Sequence, residues 1–350
     1  MVGWEQRRPV RATLAVDDAG TRATGRYQAS LTLAADHLLR LNDLAYVAVG
    51  RELGLDGDWR GAGRGTRSLA VHWSLPLAGW WHLALRASRL RYHQTVAGAV
   101  TSYVYSGRVR RWEAELARTV HRDRTSRTRV YAALRHERYR SFIEDVEIAV
   151  QRRRMTVVAA GVRHDRFLRR GSLRLEAELR RGTGALGALR APEEATGEGT
   201  AQPRLATARA ALDLRLRPRL RWRAEARAQW HRTPLVPQHR FAIGSRWTVR
   251  GFDGERLLAA DSGWLLRDEL AWAPRAGVEL YAALDHGRVR GPSARLLAGR
   301  RLTGAAVGLR GRRRGLDWEV FVGWPLEKPA GFRTDAVTAG FRLAWTRAAG

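Results

Sequence analysis

Apolar and polar residues alternate along most of this chain. Residues 219 to 230 read RLRWRAEARAQW, in which every second residue from Leu220 to Trp230 is leucine, alanine or tryptophan and every other residue is polar. A helix would scatter this pattern around its circumference, whereas a strand places the two sets on opposite faces. Arginine, alanine and glutamate favour helices, but the period outweighs that propensity and predicts a strand. The same alternation recurs in residues 81–88, 173–180, 317–322 and 337–345.

The length of these runs separates two classes of all-β protein. The alternating runs are nine to twelve residues long, as a membrane-spanning strand requires, whereas soluble sandwiches use strands of about five or six residues. Trp222 and Trp230 lie on one face about 26 Å apart along a strand, and Trp264 and Trp272 repeat the spacing. The spacing matches an apolar band about 25 Å tall between aromatic girdles. Asp268 falls on the apolar face, so a bulge or a position shielded from lipid is expected there.

Turn signals divide the pattern into an even number of strands, as closure of an antiparallel barrel requires. We therefore predict an all-β fold, a 16-stranded antiparallel transmembrane β-barrel that occupies residues 1–350 as one domain. Short turns alternate with long loops, notably 184–202 and 232–262, and the short-turn rim also carries both termini, which predicts periplasmic termini. The predicted strands are 9–18, 24–35, 42–52, 66–76, 79–93, 106–120, 126–139, 150–165, 171–183, 203–217, 219–231, 263–273, 277–288, 302–311, 315–325 and 335–346.

The net charge is strongly positive. Sixty-three Lys+Arg against 34 Asp+Glu give a formal charge of +29, and Lys328 is the only lysine. Composition alone favours a basic nucleic-acid-binding protein, which is the alternative to a barrel. The arginines are instead spread through the alternating runs rather than clustered in a tail. We therefore expect them to face water inside the barrel or in loops, with no nucleic-acid partner.

The side-chain patterns typical of enzymes are missing from the sequence. Zero cysteines exclude disulfides, thiolate metal sites and cysteine nucleophiles. His136 and Glu137, like His164 and Asp165, are adjacent in a predicted strand and point to opposite faces, so neither pair can share a metal ion. We therefore expect no enzymatic activity, no catalytic residue, no metal and no cofactor.

Residues 241–272, FAIGSRWTVRGFDGERLLAADSGWLLRDELAW, resemble the two-partner secretion transporters, the hemolysin secretion and activation protein family of outer-membrane barrels. The tetrad Val249-Arg250-Gly251-Phe252 is similar to the family's loop motif and lies between the predicted eleventh and twelfth strands. Further similar stretches run in order through almost the whole chain, so the resemblance does not depend on the tetrad alone. They are RATLAVDDAGTRATGRY at 11–27, SLPLAGWW at 74–81, YVYSG at 103–107, FIEDVEIAVQRRR at 142–154, LYAALDHGRV at 280–289 and GFRLAW at 340–345.

The resemblance implies that this sixth extracellular loop folds into the lumen and gates it, with Val249, Gly251 and Phe252 at its tip. The family's loop arginine pairs with an inward-facing aspartate of strand thirteen, and the matching residues here are Arg250 and Asp285. The period of two independently places Asp285 on the polar face. A bidentate contact of this kind would hold a long loop in one of two positions. The alternative is that Arg250 and Asp285 are only two of many hydrated charges in the lumen. The family usually has an aromatic residue where this chain has alanine, two residues before the aspartate, so weaker packing beneath the tip is expected.

The resemblance also implies a function: an outer-membrane pore that translocates a large hemolysin- or hemagglutinin-like exoprotein to the cell surface. Its other partners would be outer-membrane lipid, lipopolysaccharide and, during insertion, the barrel assembly machinery. Family members carry a plug helix and two periplasmic polypeptide-transport-associated (POTRA) domains before the barrel, and we expect these and a signal peptide to be absent from this chain. Recognition of the exoprotein therefore cannot be carried over. An assembly or insertion barrel of the same superfamily, or a truncated and inactive barrel, stays open.

Overall fold

The chain folds into the predicted β-barrel. The computed structural model describes residues 10–55, 64–97 and 101–348. Sixteen strands form the wall, which confirms the predicted fold class and strand number, and a two-residue strand, Val146–Glu147, pairs with the end of the seventh. The strands are β1 Val10–Asp17, β2 Gln28–Asp36, β3 Leu44–Glu52, β4 Arg64–Pro76, β5 Trp81–Ala97, β6 Ser102–Arg122, β7 Ser126–Ile143, β8 Arg153–Leu168, β9 Gly171–Thr183, β10 Arg204–Arg217, β11 Leu220–His231, β12 Ser262–Arg275, β13 Val278–Arg290, β14 Arg301–Arg313, β15 Leu316–Glu327 and β16 Thr338–Ala348.

Pairing between the first and last strands closes the barrel. Each strand pairs antiparallel with the next, and β16 pairs antiparallel with β1 from Arg11 opposite Ala348 to Asp17 opposite Arg342. Closure gives the backbone N–H and C=O groups of the wall a partner on each side, as a wall in contact with lipid requires. No helix in the described part of the chain is long and apolar enough to cross a membrane.

The alternation of connections is also as predicted. The rim that carries both chain ends has short turns, among them 169–170, 218–219, 276–277 and 314–315. The opposite rim carries the long connections, which we number by their order on that rim: loop 4 (144–152), loop 5 (184–203), loop 6 (232–261), loop 7 (291–300) and loop 8 (328–337).

Three strands extend four residues further toward the long-loop rim than the alternation predicted. β5, β6 and β7 continue as Trp81–Ala97, Ser102–Arg122 and Ser126–Ile143, although 79–93, 106–120 and 126–139 were expected. Pairing persists to Ala97 opposite Ser102. These ends extend past the apolar band, and the strict alternation of apolar and polar residues that marks a lipid-facing strand is lost there. Conversely, the expected start of the eighth strand at residue 150 is wrong, because Ala149–Gln151 forms a 3-10 turn.

Asp268 lies on the lipid-facing side of β12 without a bulge. Its register is regular, with Ala224 opposite in β11 and Leu284 opposite in β13. The indole Nε1 of Trp222 donates a hydrogen bond to its Oδ1 at 3.2 Å. Of the two expectations, the bulge is therefore wrong, and a neighbouring side chain satisfies the carboxylate instead.

Many arginines face outward, so the expectation that they lie in the lumen or in loops is wrong for these. Nine share the outward-facing side of β3 to β8 near the long-loop rim, alternating with inward residues; we name them the outer arginine patch. One row, directly opposite one another across five strands, is Arg51, Arg67, Arg91, Arg108 and Arg140. A second row is Arg89, Arg110, Arg138 and Arg154. Outward arginines are tolerated there because water reaches the ends of a membrane-spanning wall.

Candidate functional site

Loop 6 folds back into the barrel. Its two arms form a short hairpin, with Phe241–Ile243 paired antiparallel to Leu258–Ala260. Ile243 is fully buried, as are Val249 and, within 3%, Phe252 and Leu258. They pack with inward-facing side chains of the wall and of loops 7 and 8, namely Leu265, Val289, Leu302, Ala294 and Phe332. An apolar core inside a polar lumen therefore holds the loop.

A tight turn directs the tetrad toward the wall. The hydroxyl oxygen of Thr248 accepts hydrogen bonds from the backbone N–H groups of Gly244 and Ser245, both at 3.0 Å. The N–H of Val249 in turn donates to the carbonyl of Ser245 at 2.9 Å. These bonds reverse the chain just before Arg250, so its side chain leaves the hairpin on the side of β12 and β13.

Arg250 and Asp285 form a bidentate contact. The guanidinium donates through Nε to Asp285 Oδ2 at 2.8 Å and through Nη2 to Oδ1 at 2.7 Å. The backbone N–H of Arg250 donates to the same Oδ2 at 2.8 Å. The Asp285 side chain is 0% exposed and that of Arg250 is 9% exposed. Bidentate pairs of this kind are among the strongest polar contacts in proteins.

Two further charged residues complete the contact and were missed from the sequence. Nη1 of Arg250 donates to Glu269 Oε2 at 2.7 Å, and Arg267 lies 3.4 Å from Asp285 Oδ2 through its Nε. Both residues are on the inward face of β12, which the period of two identifies. The sequence does not reveal that β12 pairs with β13 so that Arg267 lies opposite Asp285.

The guanidinium stays charged in this environment. Burial lowers the pKa of Arg250, but the hydrogen bond and charge of Asp285, together with Glu269, outweigh burial and raise the pKa overall. The tip therefore carries a permanent positive charge that two carboxylates balance.

The other three residues of the tetrad hold the tip against the wall by shape. Gly251 has φ +96°, and a Cβ built on it would lie 2.4 Å from the carbonyl oxygen of Trp324 in β15. Phe252 meets Phe332 of loop 8 edge-on, with ring centroids 5.9 Å apart. Val249 lies beside β13. Only glycine fits at residue 251, because any side chain would strike the backbone of the wall.

The wall beneath the loop lacks side chains at four inward positions in adjacent strands. A Cβ on Gly304 would lie 1.9 Å from the carbonyl oxygen of Arg250, and one on Gly287 would lie 3.2 Å from Val249 Cγ2. Gly263 and Gly323 make room for Phe241 and for Gly251 in the same way. Together these glycines form a recess that matches the loop. The sequence could have revealed this recess, because all four glycines fall on inward-facing positions of β12 to β15.

An aromatic ring does lie near the arginine, although Ala283 replaces the usual one. Tyr281, one inward position before Ala283 in β13, places its ring centroid 5.9 Å from the guanidinium carbon of Arg250. Its hydroxyl donates to Glu319 at 2.8 Å. Ala283 itself is buried and packs beside Tyr281. The space beneath the tip is therefore filled from a different position.

The family model described as haemolysin secretion/activation protein ShlB/FhaC/HecB matches residues 1–311. The chain belongs to this family.

Relatives of this chain are named as outer membrane transporters. The transporter CdiB-2 of Burkholderia pseudomallei is 32% identical over 347 residues, covering 96% of this chain and 58% of that protein. The structure of CdiB from Acinetobacter baumannii is 27% identical with a TM-score of 0.83, covering 97% of this chain and 60% of its own. CdiB from Escherichia coli shares the fold, with 24% identity, a TM-score of 0.88, and coverage of 99% and 64%. The protein lies in the bacterial outer membrane, and it spans about three fifths of the length of these relatives.

The lumen of this family member is lined with paired charges. On one side, Arg223 and Arg310 both contact Glu269 and Glu279 below the loop tip. On the other side, inward residues of β6 to β9 form a second network, in which Arg163 contacts Glu115 at 2.6 Å. Other members of that network are Glu113, Arg135, Glu176 and Glu178. In the described ranges, no group of three or more histidine, aspartate or glutamate side chains is arranged to hold a metal ion.

Neighbouring loops brace loop 6. Asp261 is 1% exposed and accepts hydrogen bonds from the N–H groups of Leu235, at 2.9 Å, and Ser293 of loop 7, at 3.0 Å. Arg246 contacts Asp18 of the first loop at 2.8 Å. Loop 5 contributes an apolar contact, since Ala191 and Ala201 pack with Val236 of loop 6.

Loop 5 should lose its order in acid. Burial raises the pKa of Glu194, but hydrogen bonds from Ala201 N–H, Arg190, Ala191 N–H and Thr200 outweigh burial and lower it to about 2. A depressed pKa contributes stability above the ordinary value of 4.5, and that stability is lost as pH falls through about 2. Hydrogen exchange, corrected for its intrinsic pH dependence, should show loop 5 amides losing protection across this window. Glu194→Gln should abolish the pH dependence, whereas Glu198→Gln, at an exposed position of the same loop, should retain it; equal behaviour of both variants would contradict the assignment.

Proposed function

We propose that this protein is an outer-membrane pore through which a secreted polypeptide passes in an extended state, with loop 6 as a displaceable constriction. In this two-partner secretion function, the tetrad 249–252 is the latch and Asp285 is its wall contact. The observation that carries the proposal is the buried bidentate contact between Arg250 and Asp285, which joins a long loop to the wall it would have to leave.

The chemistry of the contact supports a latch rather than permanent packing. Two arginines and two carboxylates meet inside the lumen, where water can solvate each partner after separation. At the glycine positions, the wall presents no side chain that would have to move when the tip leaves. A loop held by shape and charge can take two discrete positions, docked and released.

The lumen supports passage of an unfolded chain. Many of its inward residues are charged and paired with one another, so they offer hydrogen-bonding groups to a peptide backbone. An extended polypeptide needs such a hydrated path because its backbone groups stay unsatisfied.

The alternatives carry less support. Relatives at 25% identity or more are named as outer membrane transporters, which favours transport over membrane insertion of other barrels. A nucleic-acid-binding function conflicts with a closed barrel in the outer membrane. That the exoprotein is hemolysin-like stays a prediction.

A reversible disulfide between loop 6 and the wall tests the function. The chain has no cysteine, and a Cβ on Gly287 would lie 3.2 Å from Val249 Cγ2, within reach of a disulfide. In the Val249→Cys/Gly287→Cys variant we expect oxidation to suppress current blockades by a polyglutamate chain of about 50 residues in a planar bilayer. The acidic probe is chosen because the lumen is rich in arginine.

Reduction should restore the blockades, and in neither single-cysteine variant should oxidation change them. If oxidised and reduced forms of the double variant pass the probe equally, the loop does not have to move and the latch is wrong. If the unmodified barrel gives no blockades, the proposal that it is a pore for polypeptides is wrong.

A further inference from the structure

The outer arginine patch lies outside the lumen and has no part in the proposed latch. Its first row runs without interruption across β3 to β7, so each arginine is directly opposite another of the same charge. Adjacent strands are about 4.8 Å apart, so the row is about 19 Å long, and the second row begins two residues, about 6.6 Å, further along the strands. Like charges placed directly opposite one another destabilise a sheet.

Little within the described protein offsets this repulsion. Arg140 has a carboxylate partner, Glu147, and Arg154 donates to the carbonyl of Gly187 at 3.3 Å. Arg138 donates to His136 rather than to an acid. Among the described residues, the other six have no carboxylate within ion-pair distance, and Nε of Arg89 is buried without a hydrogen-bond partner. The patch is therefore a concentrated cationic surface with unused donors.

The position of the patch is at the upper edge of the apolar band. Trp81 begins β5 at the short-turn rim, and Arg91 follows on the same face of the same strand. Their separation is about 33 Å along the strand, or about 25 Å along the membrane normal at a tilt near 40°, which matches the height of the lipid-facing band. The patch therefore lies level with the headgroups of the outer leaflet.

The patch is the largest group of outward arginines near the long-loop rim among the described residues. Beyond Arg51, the same register row continues through Ala29 and Val16 to Leu343 on β2, β1 and β16. Elsewhere near this rim, outward arginines meet in opposed pairs rather than in rows, Arg181 with Arg204 and Arg288 with Arg301. The concentration of guanidinium groups on β3 to β8 indicates a ligand with several negative charges at this depth.

We propose that the outer arginine patch binds the phosphate groups of an anionic glycolipid of the outer leaflet, a lipopolysaccharide. Guanidinium groups match phosphate oxygens in bidentate geometry and are weakly hydrated, which suits contact at a lipid surface. A phosphorylated headgroup would lie across the two rows while its acyl chains follow the apolar face below, where Val71, Trp112 and Leu116 are exposed. The bound lipid would neutralise the repulsion and give the barrel a fixed orientation toward its lipid neighbours.

Binding of fluorescent lipopolysaccharide to the full chain in detergent tests this proposal. Each arginine near an anionic surface contributes about 1 kcal/mol, so Arg91→Gln/Arg108→Gln should weaken binding by about tenfold or more. Added salt should weaken binding of the unmodified protein, and removal of the lipid phosphates should weaken it at least as much as the double substitution.

The matched control is Arg118→Gln/Arg347→Gln, which removes the same charge from the outward face at the short-turn rim; its affinity should stay within about twofold of the unmodified protein. Heat-dependent electrophoretic mobility verifies that every variant is folded. Equal weakening in both double variants, or unchanged binding of dephosphorylated lipid, overturns the proposal. Displacement of the lipid by polyglutamate at equal charge concentration also overturns it, since the patch would then be a surface for acidic polypeptides.

Discussion

Asp285→Asn is expected to release loop 6 from the inner wall and to raise the open-channel conductance of the barrel severalfold. The side chain of Asp285 is 0% exposed and contacts both Arg250 and Arg267. Asparagine keeps the shape but leaves these guanidinium groups short of one negative charge. Breaking a buried ion pair costs about 3–5 kcal/mol, which corresponds to a shift of about a hundredfold or more in the docking equilibrium. Single-channel recording in planar bilayers measures the result.

Asp213→Asn is the matched control for this change. Asp213 is also an inward-facing carboxylate that contacts two arginines, Arg221 and Arg223, but its side chain is 36% exposed and it does not contact loop 6. It should leave the conductance close to that of the unmodified protein, because exposed pairs contribute about 0–1 kcal/mol. Equal conductance in the two variants would show that Arg250 is one of many hydrated lumen charges, and the latch would be wrong.

Gly251→Val should undock the loop without changing any charge. A Cβ at this position would lie 2.4 Å from the carbonyl oxygen of Trp324 and 2.7 Å from its carbonyl carbon, and neither belongs to a flexible side chain. A β-branched residue at φ +96° also adds backbone strain. We expect the conductance to rise at least as far as in Asp285→Asn, because the tip can no longer approach β15.

Gly331→Val is the control that separates the steric clash with β15 from the backbone strain of valine at a positive φ. Gly331 in loop 8 has φ +79°, but a Cβ there meets nothing within 4 Å. This variant should carry a similar backbone cost and leave the loop docked. If Gly331→Val opens the channel as far as Gly251→Val, the response reports general loosening of the loops rather than loss of contact with the wall.

The period of two correctly predicted the strands and the face of each side chain within the apolar band, but it did not predict where the strands end. Trp264 and Leu266 face lipid while Arg267 and Glu269 face the lumen, as the alternation requires. The alternation holds only where one face meets lipid and the other water, so it could not reveal that β5 reaches Ala97. For the same reason it could not reveal the hairpin of loop 6, whose apolar residues pack inside the lumen.

The family resemblance predicted that Arg250 lies beside Asp285. The period of two in β13 predicted only that the side chain of Asp285 faces the lumen. Glu269 was within reach of the same reasoning, because it lies on the inward face of β12. It was missed because the period of two predicts which face of the sheet a side chain occupies but not how far that side chain lies from the loop. Many inward carboxylates satisfy the parity, and only the register of β12 against β13 selects the ones that meet the loop.

The sequence by itself determined the fold class, the number of strands, the face of each residue within the band and the rim that carries the termini. These follow from local chemistry, because each residue of a membrane strand meets either lipid or water. The tertiary structure alone decided the recess of glycines, the second carboxylate that contacts Arg250 and the outer arginine patch. Each depends on which residues of adjacent strands lie opposite one another, and strand register is set by the closure of the whole barrel rather than by any one segment.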